Sequence, residues 1–189
     1  MVETIMDDVE IKQLNDYAMT KWVGEMQIRN SMLQYGTETV VVRLFNTYGP
    51  GEYYSPYRSV NCRFLYCALH GLPWTVYRGH KRTSTYVGDT VQALVNIIDN
   101  FKPGETYNIA GGHLHSIEEL CDLIIAVTGA DPGLASYRDS EAMTTCLKNV
   151  DNSKAVRDLG LSCRYDLETG TRLTADWMKQ VYASTIKRR

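Results

Sequence analysis

The sequence predicts an α/β fold with some parallel strand pairing. Three observations carry this expectation. Short β-branched or aromatic runs alternate with segments of helical spacing. Gly, Pro and Asn punctuate nearly every junction between them. The run TVVVRLF at 39–45 is continuously apolar apart from one arginine, which suits a strand buried on both faces, as parallel sheets require.

The elements follow in order. Residues 15–35 read as a helix that Asn15 or Asp16 can cap and Gly36 can end. Four-residue spacing puts Tyr17, Lys21 and Glu25 on one face. After the 39–45 strand, NTYGPGEYYSP at 46–56 is turn-rich and long enough to carry function. Residues 58–70 read as a helix stopped by Gly71, WTVY at 74–77 as a short strand, and RGHKR at 78–82 as a basic turn. TYV at 85–87 leads to Asp89, a helix cap, and a helix over 90–101 ends before Pro103-Gly104. TYNIA at 106–110 reads as a strand and Gly111-Gly112 as a turn. Ser116 and Glu119 form an S-x-x-E capping box for a helix to Thr128. Residues 130–149 read as irregular, with one strand near 145–149; helices follow from Asn152 to Leu159 and from Leu167 to Tyr182.

Composition excludes several classes. A chain of 189 residues with 44% hydrophobic residues holds one packed domain, with room for a small appendage. The net charge of −2 gives no footing for nucleic acid or an anionic membrane, and the basic tail Lys187-Arg188-Arg189 reads as a solvated end. The five cysteines are odd in number and lack a CxxC pair, which fits reduced thiols in a cytoplasmic protein. His113 and His115 alternate in a turn without a zinc-type partner set, so no metal is expected. No apolar run reaches the roughly 18 residues of a membrane span, and the acidic start MVETIMDDVE does not read as a signal peptide. A hydrolase reading fails for want of a G-x-S-x-G elbow.

Tyr17-Ala18-Met19-Thr20-Lys21 is a Y-x-x-x-K pattern on a helix. A cation one turn from a phenol favours the phenolate, and the pair can then exchange protons near neutrality. Several further motifs occur in series: YAMTKWVGE, VVRLFNTYGPG, GLPWTVY, R-x-x-x-Y-V-x-D at 82–89, YNIAGGHLHSIEEL at 107–120, VDNSKAVRDLGL at 150–161 and LETGTRLTADWM at 167–178. In this order they resemble the C-terminal portion of the extended short-chain dehydrogenase/reductase family, the NAD-dependent nucleotide-sugar epimerases and dehydratases. The resemblance covers nearly the whole chain. Each motif alone is weak; the series is specific.

The resemblance implies the C-terminal part of a Rossmann-type fold, lacking the N-terminal Gly-rich βαβ unit. No GxGxxG or GxxGxxG turn occurs, and such a turn is what lets a backbone approach a pyrophosphate. It implies that residues 1–57 close the nucleotide-binding domain and that 58–189 are mostly substrate-binding, with returning α/β elements. It implies Tyr17 as acid/base and Lys21 as the residue that binds the nicotinamide ribose and tunes Tyr17. It places Phe45 in backbone contact with the nicotinamide and Asn46 on the sugar nucleotide. Val76 and Tyr77 are implied beside the base, and Arg82 on the diphosphate, with Arg138 as a second such arginine. The family's upstream Ser or Thr has no convincing counterpart before Tyr17. The implied activity is nucleotide-sugar epimerisation or 4,6-dehydration with NAD, the isolated chain being inactive. The alternative is a non-catalytic fragment that binds a nucleotide sugar or a partner subunit. Half of an open sheet leaves an edge and an apolar face, so a homo-oligomer, or pairing with a chain that carries the other half, is expected.

Overall fold

The computed structural model describes residues 15–139 and 143–186; the acidic start and the basic tail read above lie outside them. The chain runs α1 (Asp16–Tyr35), β1 (Val41–Leu44), β2 (Thr47–Tyr48), α2 (Val60–His70), β3 (Trp74–Tyr77), β4 (Lys81–Thr83), β5 (Thr85–Tyr86), α3 (Val87–Asp99), β6 (Thr106–Ile109), β7 (Leu114–Ser116), α4 (Ile117–Thr128), a 3-10 turn, β8 (Ala135–Arg138), α5 (Ser153–Leu159) and α6 (Leu167–Val181). Strands pair in twos: β1 with β6, β2 with β5 and β3 with β8, all parallel, and β4 with β7 antiparallel.

Two hydrophobic clusters form around these pairs. In the first, β3 contributes Trp74 and Val76 to a core completed by Phe64 and Leu65 of α2, Leu120 and Ile124 of α4 and Met178 of α6. In the second, Tyr107 and Ile109 of β6 pack with Ala93 of α3 and with Ala155 and Leu159 of α5, and Val40 and Val42 join from the β1 side. The β1–β6 pair therefore has α3 and α5 on one face. Alternation turns Val41 and Arg43 to the other face. There Arg43 meets Glu25 of α1 through Nε–Oε1 at 2.8 Å and Nη2–Oε2 at 2.6 Å.

Local chemistry fixes most boundaries. Asn15 Oδ1 accepts the Ala18 N–H at 2.9 Å, and Gly36 closes α1 at φ +65°. The capping box of α4 forms in both directions, Glu119 N–H to Ser116 Oγ at 3.0 Å and Ser116 N–H to Glu119 Oε2 at 2.6 Å.

Four expectations change. β1 is not buried on both faces: Val41–Arg43 are half-buried and Leu44 is 50% exposed. The cause is that β6 covers one edge only and α1 buries none of its residues. Asp89 does not cap a helix. Helix α3 begins two residues earlier, and the buried Asp89 carboxylate instead accepts the Tyr165 N–H at 3.2 Å. The basic turn is shorter than expected, because Lys81–Thr83 already pairs with β7. The strand of the 130–149 region is Ala135–Arg138, drawn into register by β3; Leu147 makes only an isolated bridge to Lys81. No helix among the described residues is long and apolar enough to cross a membrane.

Candidate active site

The C-terminal end of β1 is where three backbones converge. Phe45 donates its N–H to Ile109 O at 3.0 Å and accepts from Thr85 Oγ1 at 3.0 Å. Asn46 then takes φ +42°, a left-handed conformation that is uncommon outside glycine. Two bonds hold it there: Thr85 N–H to Asn46 O at 3.2 Å, and Asn46 Nδ2 to Thr83 O at 3.2 Å. A strained residue at the carboxyl end of a parallel strand, fixed by its surroundings, is a functional candidate on geometry alone. Below it Tyr48 is 2% exposed, and burial pushes its phenol well above the ordinary tyrosine range. Gly49, at φ +147°, has no room for a side chain, since a Cβ would lie 2.5 Å from Val87 Cγ1.

Helix α1 brings Tyr17 and Lys21 together on its outer face. Tyr17 is 71% exposed, and the Lys21 ammonium stands 5.3 Å from the centre of the Tyr17 ring. The cation thus sits over the ring face, a favourable cation–π geometry. The same end of α1 reaches the distant chain. Asn15 Nδ2 donates to Met143 O at 3.0 Å, and three residues on, Cys146 O accepts from Arg82 Nη1 at 2.8 Å.

Arg82 is buried, which the reading of a basic turn did not foresee. Its Nη1 also donates to Lys81 O at 2.8 Å, and its Nη2 lies 3.2 Å from His80 Nδ1. A guanidinium only donates, so His80 Nδ1 accepts, and its Nε2 faces Cys146 Sγ at 3.8 Å. Arg82 therefore braces the 143–148 segment against β4.

Val76 is fully buried in the main core, so its side chain is packing rather than a ligand contact. Alternation turns Tyr77 the other way, half-buried and tilted against His80 at 6.1 Å between ring centres. The register of β3 and β8 sets Tyr77 beside Arg138, whose side chain is exposed. The structure thus joins two residues that the sequence separates by an irregular region. Next to them Arg78 lies over the Tyr137 ring at 5.2 Å. Sequence reasoning saw Arg78 only as part of a turn.

Two of the clefts among the described residues adjoin these elements. One of about 160 Å³ lies between Ser84, Asp89, Gly111, His115 and Tyr165. One of about 200 Å³ lies between α1 and the β1–β6 pair, with Glu25, Arg29, Met32, Arg43, Glu105 and Lys154 in its walls. Tyr17, Lys21, Asn46, Tyr77, Arg82 and Arg138 line neither. Among the described residues no group of three or more His, Cys, Asp or Glu side chains is placed to hold a metal ion.

Comparison with known proteins follows the same lines. The chain is 30% identical over 172 residues to a UDP-N-acetyl-alpha-D-glucosaminuronate decarboxylase of Bacillus cytotoxicus, covering 87% of this chain and 53% of that protein. It is 31% identical over 174 residues to a dTDP-glucose 4,6-dehydratase of Salmonella typhimurium, covering 85% and 46%. Among solved structures, an epimerase of Methanothermobacter thermautotrophicus superposes with a TM-score of 0.86 at 25% identity, over 95% of this chain and 55% of that one. The UDP-glucuronic acid 4-epimerase of Bacillus cereus, in complex with UDP-glucuronic acid and NAD, gives 0.83 at 26% identity, over 93% and 56%. The chain spans about half the length of the curated relatives it matches. The shared architecture is the Rossmann-type fold of these enzymes. The profile of the NAD dependent epimerase/dehydratase family matches residues 2–110, and the chain belongs to that family.

Proposed function

We propose that this chain is the substrate-side portion of an NAD-dependent nucleotide-sugar epimerase or 4,6-dehydratase, acting in the cytoplasm. The observation that carries the reading is the Tyr17–Lys21 pair, solvent-facing on α1 with the ammonium 5.3 Å from the ring. In this reading Tyr17 Oη takes the proton of a sugar hydroxyl, and Lys21 holds the nicotinamide ribose and keeps positive charge beside the phenol. Asn46 orients the sugar nucleotide from the end of β1. Tyr77 offers an aromatic wall to the base, and the exposed Arg138 beside it a bidentate donor for the diphosphate. Arg82, the other arginine implied for the diphosphate, gives Nη1 to the Lys81 and Cys146 carbonyls and so braces the 143–148 segment.

NAD bound at this site would supply the hydride chemistry. In this reading Tyr17, Lys21 and the second lone pair of the Phe45 carbonyl would hold its nicotinamide end. The pyrophosphate needs a turn of free N–H groups of the Gly-rich kind, and this sequence contains none. The isolated chain is accordingly inactive in this reading.

A second reading, a non-catalytic fragment that binds a nucleotide sugar or a partner subunit, is favoured by the uncovered surface around β1. Val41 and Phe45 donate to Glu105 and Ile109, so the alternate residues Val42 and Leu44 turn their backbone groups to the opposite edge. Among the described residues no strand pairs there. On the face of α3 away from the core, Val91, Leu94, Val95 and Ile98 form an i, i+3, i+4, i+7 stripe with exposures of 51, 37, 49 and 77%. Such an edge and stripe support self-association, or pairing with a chain that carries a further strand–helix unit.

Tyr17→Phe in an enzyme completed with that unit tests the first reading. Turnover of UDP- or dTDP-glucose is expected to vanish while the fold is kept; persistent turnover would remove Tyr17 from the acid/base role.

A further inference from the structure

The 160 Å³ cleft holds a pair that the nucleotide-sugar chemistry does not use. Ser84, between β4 and β5, has its Oγ 2.8 Å from His115 Nε2 on β7. The other ring nitrogen, Nδ1, lies 3.0 Å from Ser116 O. A carbonyl oxygen only accepts, so Nδ1 carries the hydrogen and Nε2 of the neutral ring offers its lone pair to Ser84. Burial pushes the His115 imidazolium below the ordinary histidine range, against the opposing pull of the Ser116 carbonyl and of Glu119. The neutral ring is therefore the resting form near pH 7. The Ser84 hydroxyl has one proton and two acceptors within reach, Nε2 at 2.8 Å and Asn61 Oδ1 at 3.3 Å. The nearer one takes it.

This is the relation of nucleophile, base and orienting group that activates a serine. His115 is 2% exposed and Asn61 is fully buried, so packing holds the pair in place. Ser84 itself is only half-buried and lines the cleft, so its oxygen can be reached. Gly111 forms part of the wall. A Cβ there would lie 2.2 Å from Ser84 O, so only glycine lets the two backbones touch. Asp89 supplies an unused acceptor in the same wall. It is 2% exposed, and its Oδ1 makes no hydrogen bond, having only the Arg164 guanidinium at 3.5 Å. A buried carboxylate oxygen of this kind suits a ligand hydroxyl.

We propose that Ser84 is a nucleophile, with His115 as its general base, that takes a short acyl group from the ester of a hydroxylated alcohol. Ser84 Oγ bonds to the ester carbonyl carbon, and its proton passes to His115 Nε2. The carbon–oxygen bond to the alcohol breaks, and the alcohol oxygen leaves with that proton. Water then attacks the acyl-serine, His115 takes the water's proton and returns it to Ser84 Oγ, and the carboxylic acid departs. The cleft, about 160 Å³, has room for a short acyl group. The inference does not depend on the nucleotide-sugar reading, since Tyr17 and Lys21 take no part.

The test uses the whole chain with p-nitrophenyl acetate, following nitrophenolate release and mapping acetylated peptides by mass spectrometry. The expected result is a burst of about one equivalent per chain, with acetyl on Ser84, followed by slower turnover. Ser84→Ala, which removes a single oxygen, and His115→Gln, checked for folding by circular dichroism, should each slow release by roughly 100-fold. Acetyl found only on lysine or tyrosine side chains, or Ser84→Ala releasing nitrophenolate at the unchanged rate, would overturn the proposal. Should His115→Gln fail to fold, the Ser84→Ala rate and the peptide map decide.

Discussion

Replacing Glu25 by alanine tests how the helix that carries Tyr17 is held. Helix α1 fully buries none of its residues, and of its larger apolar side chains only Met26, Ile28 and Met32 are half-buried, so apolar packing holds it weakly. Its main tie to the sheet is the two-bond pair between Glu25 and Arg43, with side chains 21% and 14% exposed. Hydrogen bonds between charged groups contribute roughly 1.5–3 kcal/mol, and removing one partner of the part-buried guanidinium adds a desolvation cost. Water entering from the adjacent cleft offsets part of that cost, which leaves about 2 kcal/mol. Because α1 can detach without exposing a core, the loss should appear as local opening rather than global unfolding. Amide exchange across 16–35 should then speed up by about 30-fold, while Tyr107 and Ile109 of β6 keep their protection. Arg43→Ala should act similarly, and the double variant should lose less than the sum of the two. Unchanged exchange in α1, or an equal loss of protection in β6, would refute the idea that this pair is a local anchor.

Four further outcomes follow from the same geometry. Burial pushes the Cys62 thiol from 9.0 up to about 12 and also raises the Tyr48 phenol. The unfolded chain releases these protons first, so stability is full below pH 9 and falls as pH rises through 9 to 12; urea midpoints should show this, and Cys62→Ala should flatten the slope. His115 is shifted the other way, below 6.5, so its contribution is present above pH 6.5 and is lost as pH falls; His115→Gln should reduce the acid-side decline. Gly111→Ala drives a methyl into Ser84 O and should cost roughly 3 kcal/mol, or about 6 to 12 °C in Tm; an unchanged Tm would mean the close approach is not real. Changing Val91, Leu94, Val95 and Ile98 together to Gln or Ser should abolish concentration-dependent association in light scattering, and a parent chain that stays monomeric at all concentrations would show that the stripe drives no association.

Sequence pattern showed the elements better than their partners. The caps at Asn15 and Gly36 and the Ser116–Glu119 box are local chemistry, and local chemistry is readable from neighbouring residues. Strand β8 was not readable, because Ala-Ser-Tyr-Arg lacks a β-branched run and is a strand only because β3 lies beside it. The burial of β1 was overestimated for a related reason. Apolar residues mark a face that can be covered, and Val41–Leu44 are covered by β6 on one edge alone.

The candidate site divides along the same line. Tyr17 and Lys21 lie four apart on one helix, so their meeting was visible in the spacing. The neighbourhood of Tyr77 and Arg138 depends on a parallel register between strands more than fifty residues apart, which no local pattern encodes. The burial of Arg82 does not show in its charged neighbours; its guanidinium is taken up by the carbonyls of Lys81 and Cys146. Val76 and Tyr77 were read as one ligand wall, yet strand alternation sends them to opposite sides, one to the core and one to the surface. The pairing of Ser84 with His115 carried no signal, since a sequence separation of 31 belongs to no motif.

The central claim is that this chain carries the sugar-nucleotide side of the enzyme and lacks the turn that grips a dinucleotide. Calorimetric titration of the chain with UDP-glucose, dTDP-glucose and NAD tests it most directly. Saturable binding of a sugar nucleotide, weakened by Arg138→Ala, with no micromolar binding of NAD, is the predicted result. Micromolar NAD binding with no response to either sugar nucleotide would contradict it.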